Sequence, residues 1–525
     1  MSTAESRRLS EIRDDVGGWR KWGPYLSERS WGTVREDYSP DGSAWTYFSH
    51  DQARSKAFRW GEDAIAGVSD RYQILCFAPA FWNGVDPILK ERLYGLASHE
   101  GNHSEDVKEA YFHLDCLPTH AYMKYLYKYP QRSFPYDALI HENARRGAGV
   151  PEFELVDTGI FDEDRYFDIT IEYAKLDPED LFIRIEATNL GPDPAELYIL
   201  PHLWFRNLWA WQEPRKRSPE IRMGSAPGGF VRIVADDADM DPPPKMPLAY
   251  RLGARSLYGP AAAALFTDNE TNMPRVHGPD ARSASPYVKD AFHRHLIEGE
   301  SCVNPRQIGT KAALVYRYPA IPPGESVVLH LRLTTFHDLA DPFADAEKLF
   351  VKRRKETDAF FESIHPPTAT ETEKRIQRQA LSGLLWTKQS YLFDVEVWLK
   401  GDFDSYPPPK SRERIRNHHW KHLNSMRIMS VPDKWEYPWF AAWDLAFHCV
   451  PIALVDPQFA KDQLWVLLFE QFQHPNGQLP AYEWEFSDLN PPVHAWACWR
   501  VYSLEKEKTG VGDTKFLETC FHKLL

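Results

Sequence analysis

Two aromatic and acidic clusters hold the residue types best able to do chemistry. Trp435-Glu436-Tyr437-Pro438-Trp439-Phe440-Ala441-Ala442-Trp443-Asp444 leads into an apolar run reaching Phe447-His448, and Tyr482-Glu483-Trp484-Glu485-Phe486 precedes Asp488, Asn490, Pro491 and Pro492. Flat rings beside carboxylates suit a sugar, whose C–H face is apolar and whose hydroxyls need acceptors. The pattern points to a saccharide site in which Tyr437, Trp439 and Trp443 offer ring faces while Asp444, Glu483 and Asn490 offer polar contacts. Each residue has a structural alternative. Asp444 and Asp488 could cap helices, since a carboxylate there takes the free amides of the first turn. Glu483 and Glu485 could simply be exposed. Trp439 and Trp443 could be core, with Trp443 the more readily buried of the two. His448 and His494 read as hydrogen-bonded wall residues rather than metal ligands, so neither a metal nor a cofactor is expected. The chain has no Gly-rich phosphate loop and no nucleophile elbow, which argues against kinase, dehydrogenase and serine-hydrolase chemistry.

The elements that must position these residues are set by length and composition. At 525 residues the chain is too long for one core, and its 43% hydrophobic and 26% charged residues are ordinary for a globular protein. A net charge of −13 disfavours nucleic acid and anionic membranes as partners. No run approaches the roughly 18 apolar residues of a membrane span, and Met1 to Arg13 lacks the apolar core of an export signal, so a cytoplasmic location is expected. The six cysteines have no metal-like spacing and read as free buried thiols. Asn102-His103-Ser104 and Asn269-Glu270-Thr271 match a glycosylation pattern that means little without export. Oligomeric state is not legible.

Period-two alternation marks strands at Phe167–Tyr173 and Leu181–Ala187, joined by an Asp-Pro-Glu-Asp turn, and further strands at Leu197–Leu200 and Val327–Thr335. Trp31 to Phe48, with Asp41-Gly42 as a hairpin tip, could add more. Many short strands between Pro/Gly/Asp turns predict an antiparallel β-sandwich over 1–340. After a linker at 341–369 the period turns helical. A capping box at Thr370 and Glu373 opens one long helix to about Leu399, a second runs from Asp456-Pro457 to near Gly477, a third opens at Pro491-Pro492, and a fourth covers Lys515 to Leu525. The apolar stripe of that last helix continues to the final residue, so the chain is expected to stop inside a helical domain.

With this order of elements, Trp439 to His448 resembles the aromatic-Trp-Asp-x-x-Phe-His segment, and Asn490-Pro491-Pro492-Val493-His494-Ala495-Trp496-Ala497 resembles the Gln/Asn-Pro-Pro-x-x-Ala segment, of glycoside hydrolase family 63. That family comprises processing α-glucosidases and relatives, is related to the mannosylglycerate hydrolases, and includes a poorly characterised cytosolic branch. The resemblance implies a multidomain protein with an N-terminal antiparallel β-sandwich and, over 370–525, the first part of an all-α (α/α)6 barrel with its active site at one mouth. It implies an inverting hydrolase of α-glucosides or α-mannosides, with an oligosaccharide or small glycoside as partner, and places Asp444 and Asn490 in the sugar subsite. Inverting chemistry needs an acid and a base roughly 6.5–9.5 Å apart. The family's catalytic acid lies in a Gly-x-Asp-Asn-type segment downstream of the Pro-Pro segment, and no such segment follows Pro492. The catalytic pair is therefore unknown and expected beyond Leu525, and residues 1–525 alone are expected to be inactive. A sugar phosphorylase of similar architecture and a non-catalytic carbohydrate-binding protein are the alternatives.

Overall fold

A computed structural model describes residues 3–14, 18–102, 107–147, 149–211, 214–241, 250–403, 406–469, 472–483 and 485–525. Trp484 and the His103-Ser104 part of one glycosylation pattern lie outside them. Asn269 of the other pattern is buried and donates to Glu62 at 2.9 Å and to the Phe205 carbonyl at 3.0 Å, so it offers no glycan acceptor.

Among the described residues, two antiparallel sheets form the N-terminal part. One has six strands in the order Trp22–Gly23, Val68–Asp70, Leu75–Trp82, Ala195–Phe205, Lys311–Ile321, Ala263–Thr267. The other has nine and centres on Ser326–Thr334, Asp180–Asn189, Tyr166–Asp177, Tyr122–Pro130 and Ala110–Cys116. The expected hairpin is present, paired from Phe167 with Asn189 to Asp177 with Asp180. Alternation puts Phe167, Ile169, Ile171 and Tyr173 on the inner face, where they meet Phe77, Phe81, Ile199 and Leu203 of the other sheet in one continuous core. Ring contacts cross the gap: Phe77 meets Tyr173 edge-on at 6.3 Å, and Phe81 lies 6.0 Å from Tyr127.

The expectation of strands in Trp31–Phe48 is not met. That stretch holds turns and a single helical turn, Ala44–Tyr47, and its charged Arg35, Glu36 and Asp37 are buried rather than alternating outward as in a half-exposed strand. Residues 341–369 contain a helix, Ala346–Glu362, laid on the nine-stranded sheet. There Arg354 meets Glu172 at 2.6 Å and Arg353 donates to the Lys175 carbonyl at 2.8 Å.

The capping box at Thr370 and Glu373 is formed, but the helix it opens ends at Trp386. Lys388–Asp394 is instead a strand paired with Asn424–Ser430, followed by a short helix Val395–Lys400. All seven residues of Lys388–Asp394 are buried, so tertiary pairing overrides the helical pattern of the sequence. Pro457–Leu467 starts under the Asp456 cap as expected and stops well before Gly477. Val493–Thr509 and Thr514–Leu524 follow, the latter capped by Asp513. Ala442–Val455 packs against both Pro457–Leu467 and Val493–Thr509 in a second core. All six cysteines are free and buried.

Trp386 ties the helices to the sandwich. It is fully buried, its indole donates to the Asp115 carbonyl at 2.9 Å, and its ring stacks on His113 at 5.3 Å. Trp386→Ala is expected to cost about 3–5 kcal/mol in urea unfolding; a loss below about 1 kcal/mol would mean that this seam contributes little.

Candidate functional site

The two aromatic clusters, far apart in sequence, are zipped together. Ala441 forms a β-bridge with Tyr482, the Ala442 amide donates to the Ala481 carbonyl at 2.7 Å, and the Ala481 amide donates to the Glu485 carbonyl at 2.8 Å. Ala441 is extended and acts as N-cap of the helix Ala442–Val455, so Asp444 falls in its first turn. Asp444 is therefore not the capping residue. A carboxylate there is favoured by the helix dipole. Partial burial nonetheless raises its pKa, and among the described residues no other side chain hydrogen-bonds or ion-pairs with it. A half-buried acceptor with unused capacity suits a ligand hydroxyl.

The rings divide by exposure. Tyr437 is half exposed and meets Trp439 edge-on at 5.3 Å, while Trp439 is buried against Trp45 at 6.1 Å. Trp443 is 44% exposed against 6% for Trp439, the reverse of the order expected from sequence. The reason is position: Trp443 lies on the outer face of its helix, whereas Trp439 fills the gap beneath the loop. Trp443, Phe447 and Trp496 form an exposed row, with successive ring centroids 6.2 and 5.5 Å apart.

Glu483 is not at the surface. It is buried and ion-paired at 3.0 Å with Arg35, which also donates to the Pro438 carbonyl at 2.6 Å and the Trp60 carbonyl at 3.3 Å and lies 4.7 Å over the Tyr391 ring. Burial pushes the Glu483 carboxyl up to about 7, against the pull of Arg35. One guanidinium thus holds the 438 loop, the 483 loop and the β-domain together. Beside it, Lys56 bridges Glu36 at 3.4 Å and Asp402 at 3.2 Å, and Tyr38 donates to Asp402 at 2.6 Å. Sequence reasoning missed Arg35, Glu36, Lys56 and Asp402. The available signal was a charged run, Arg35-Glu36-Asp37, set among aromatic residues.

Asn490 donates to the Leu479 carbonyl at 3.0 Å, which leaves its buried Oδ1 without a partner. Asp488 is exposed, and the next helix begins only at Val493 with Pro492 as its N-cap, so Asp488 caps nothing. Glu485 accepts from the Ser487 amide at 2.6 Å. His448 contacts Ser430 Oγ at 3.1 Å and His494 the Leu464 carbonyl at 2.9 Å; burial pushes both imidazoles down to about 4.

Arg35→Met leaves Glu483 buried without its counter-charge, so a loss of about 3–5 kcal/mol in urea unfolding is expected; a loss under about 1 kcal/mol would show that the loops are held by other contacts. His448 is neutral when folded, whereas an unfolded histidine takes up its proton near pH 6.5. Its share of stability is therefore intact above that pH and is lost as the pH falls from about 6.5 towards 4. Glu483 works the other way: its stabilisation is complete below about pH 4.5 and fades as the pH rises to about 7. His448→Gln is expected to lose less stability between pH 7 and pH 4.5 than the parent, by roughly 1–3 kcal/mol. Identical slopes would remove His448 from the acid response.

Residues 437–525 match the family model of the mannosylglycerate hydrolase MGH1-like glycoside hydrolase domain. The chain is 44% identical over 576 residues to the uncharacterised protein YMR196W of Saccharomyces cerevisiae, an alignment covering 100% of this chain and 51% of that protein. It thus spans about half the length of that curated relative. A human-microbiome protein provisionally named a kojibiose phosphorylase is similar at 9% identity and a TM-score of 0.23, over 94% of this chain and 58% of its own. A family GH92 α-mannosidase from Bacteroides thetaiotaomicron is similar at 9% identity and a TM-score of 0.19, over 69% of this chain and 49% of its own. Both TM-scores are too low to establish a shared fold. The stretch that bears both aromatic loops is similar in sequence to a glycoside hydrolase domain.

Proposed function

We propose that the chain carries the saccharide-binding part of a glycoside hydrolase acting on α-glucosides or α-mannosides. The observation that carries this reading is Asp444: half-buried, unengaged by any other side chain among the described residues, and next in sequence to Trp443 of the exposed Trp443–Phe447–Trp496 row, which spans its helix and Val493–Thr509. In this reading Asp444 accepts two sugar hydroxyls and Tyr437 and Trp443 cover the C–H face, while Asn490, with its Oδ1 buried, reaches a hydroxyl only if the loop shifts. Trp439 and Glu483, both buried, hold the loop rather than touch the sugar. The family match over 437–525 supports the hydrolase class. The resemblance to family 63, with its (α/α)6 barrel and inverting mechanism, is the finer form of the proposal. In that form of the proposal no residue of 1–525 is assigned as catalytic acid or base.

Asp444→Asn keeps the shape and removes the charge. It is expected to weaken binding of an α-linked glucose or mannose disaccharide at least tenfold, about 1.4 kcal/mol, while urea stability moves by under about 0.5 kcal/mol. Isothermal titration calorimetry beside urea unfolding checks both. Unchanged affinity would overturn the site, and an equal loss of folding would make Asp444 a structural residue.

A further inference from the structure

A cavity of about 430 Å³ lies where the β-domain meets the helices, and none of its lining residues belongs to the aromatic loops. Arg20, Lys21, Arg71, Lys388 and Arg427 face it with one carboxylate, Asp462. Arg20 is paired with Asp456 and Lys21 with Glu179. Among the described residues Arg71 and Arg427 make no ion pair; Arg71 lies 5.2 Å over the Tyr72 ring. Lys388 is only 1% exposed, yet its ammonium makes one 3.3 Å hydrogen bond, to the Pro118 carbonyl, and otherwise lies 4.2 Å over the Phe459 ring. The buried Nε of Arg20 has no hydrogen-bond partner.

Lys388 is a buried cation short of counter-charge, which is costly, while Arg71 is half-buried and Arg427 exposed at the cavity mouth. Burial pushes the Lys388 ammonium down to about 8, against the pull of Asp456, the response of a cation short of negative neighbours. Asp462 supplies one negative charge to the cavity and accepts from Gln458 at 2.9 Å. Against Arg71, Lys388 and Arg427 this leaves a surplus of about two positive charges, which suits a dianion, and the volume is that of a small-molecule pocket. Phe459 and Trp465 supply an apolar wall beside the charges.

We propose that this cavity binds the phosphate monoester of a small metabolite, with the phosphate between Arg71, Lys388 and Arg427 and the carbon skeleton against Phe459 and Trp465. The site is separate from the saccharide site and does not depend on it.

Isothermal titration of the 525-residue chain with inorganic phosphate, glucose 6-phosphate and AMP at pH 7 tests this. One ester is expected to bind at a single site at least tenfold more tightly than inorganic phosphate. Arg71→Ala and Arg427→Ala, both on the cavity rim, are each expected to weaken it at least tenfold while leaving disaccharide affinity unchanged. Affinity is also expected to fall at pH 9, where Lys388 has lost its proton. Failure of all three compounds to bind at millimolar concentration overturns the proposal, as does ester binding no tighter than phosphate, or binding indifferent to both arginine variants.

Discussion

One buried guanidinium ties the β-domain to both aromatic loops at once. Arg35 comes from the N-terminal segment, while its partners, the Glu483 carboxylate and the Pro438 carbonyl, belong to the two clusters that resemble a sugar site. Arginine suits the task because its planar fork serves several acceptors at once and its charge persists at any accessible pH. The pair stands in a small electropolar core in which Lys56 bridges Glu36 and Asp402 and Tyr38 donates to Asp402 across the seam. Such a core adds little net stability over an apolar one, since desolvation offsets most of the attraction. It does impose geometry, because a misplaced partner would leave a charge unmet in a dry interior.

That geometry explains how the residues divide. Glu483 and Trp439 are consumed in building the platform, whereas Trp443 keeps an exposed ring and Asp444 and the buried Oδ1 of Asn490 keep acceptor capacity unused by other side chains among the described residues. The β-bridge between Ala441 and Tyr482 then sets the start of the helix and the second loop edge to edge. The platform thus draws on three stretches of chain, although its exposed chemistry comes from only two.

How much of this could be read from sequence follows from the range of the interactions involved. The hairpin at 166–189 was legible because its alternation is local, and so were the caps at Thr370 and Asp456, which act within one helical turn. The strand Lys388–Asp394 was not, because it exists only through pairing with Asn424–Ser430, some thirty residues on, and its polar Lys388, Gln389 and Ser390 are buried by elements from elsewhere. The aromatic clusters themselves announced a candidate site, yet which ring was free depended on helix phase and loop path. Trp443 and Trp439 exchanged their expected burial for that reason. The charged run around Arg35 was the one local hint, and it did not name a partner that lies more than four hundred residues away.

The central claim is that Asp444 and the rings beside it receive a sugar. A crystal of the chain soaked with an α-linked glucose or mannose disaccharide tests it most directly. The account predicts density for a sugar ring within hydrogen-bond distance of the Asp444 carboxylate and in face contact with Trp443. A sugar bound elsewhere on the molecule, or an Asp444 that stays unliganded in a crystal where the loops are open to solvent, would contradict it.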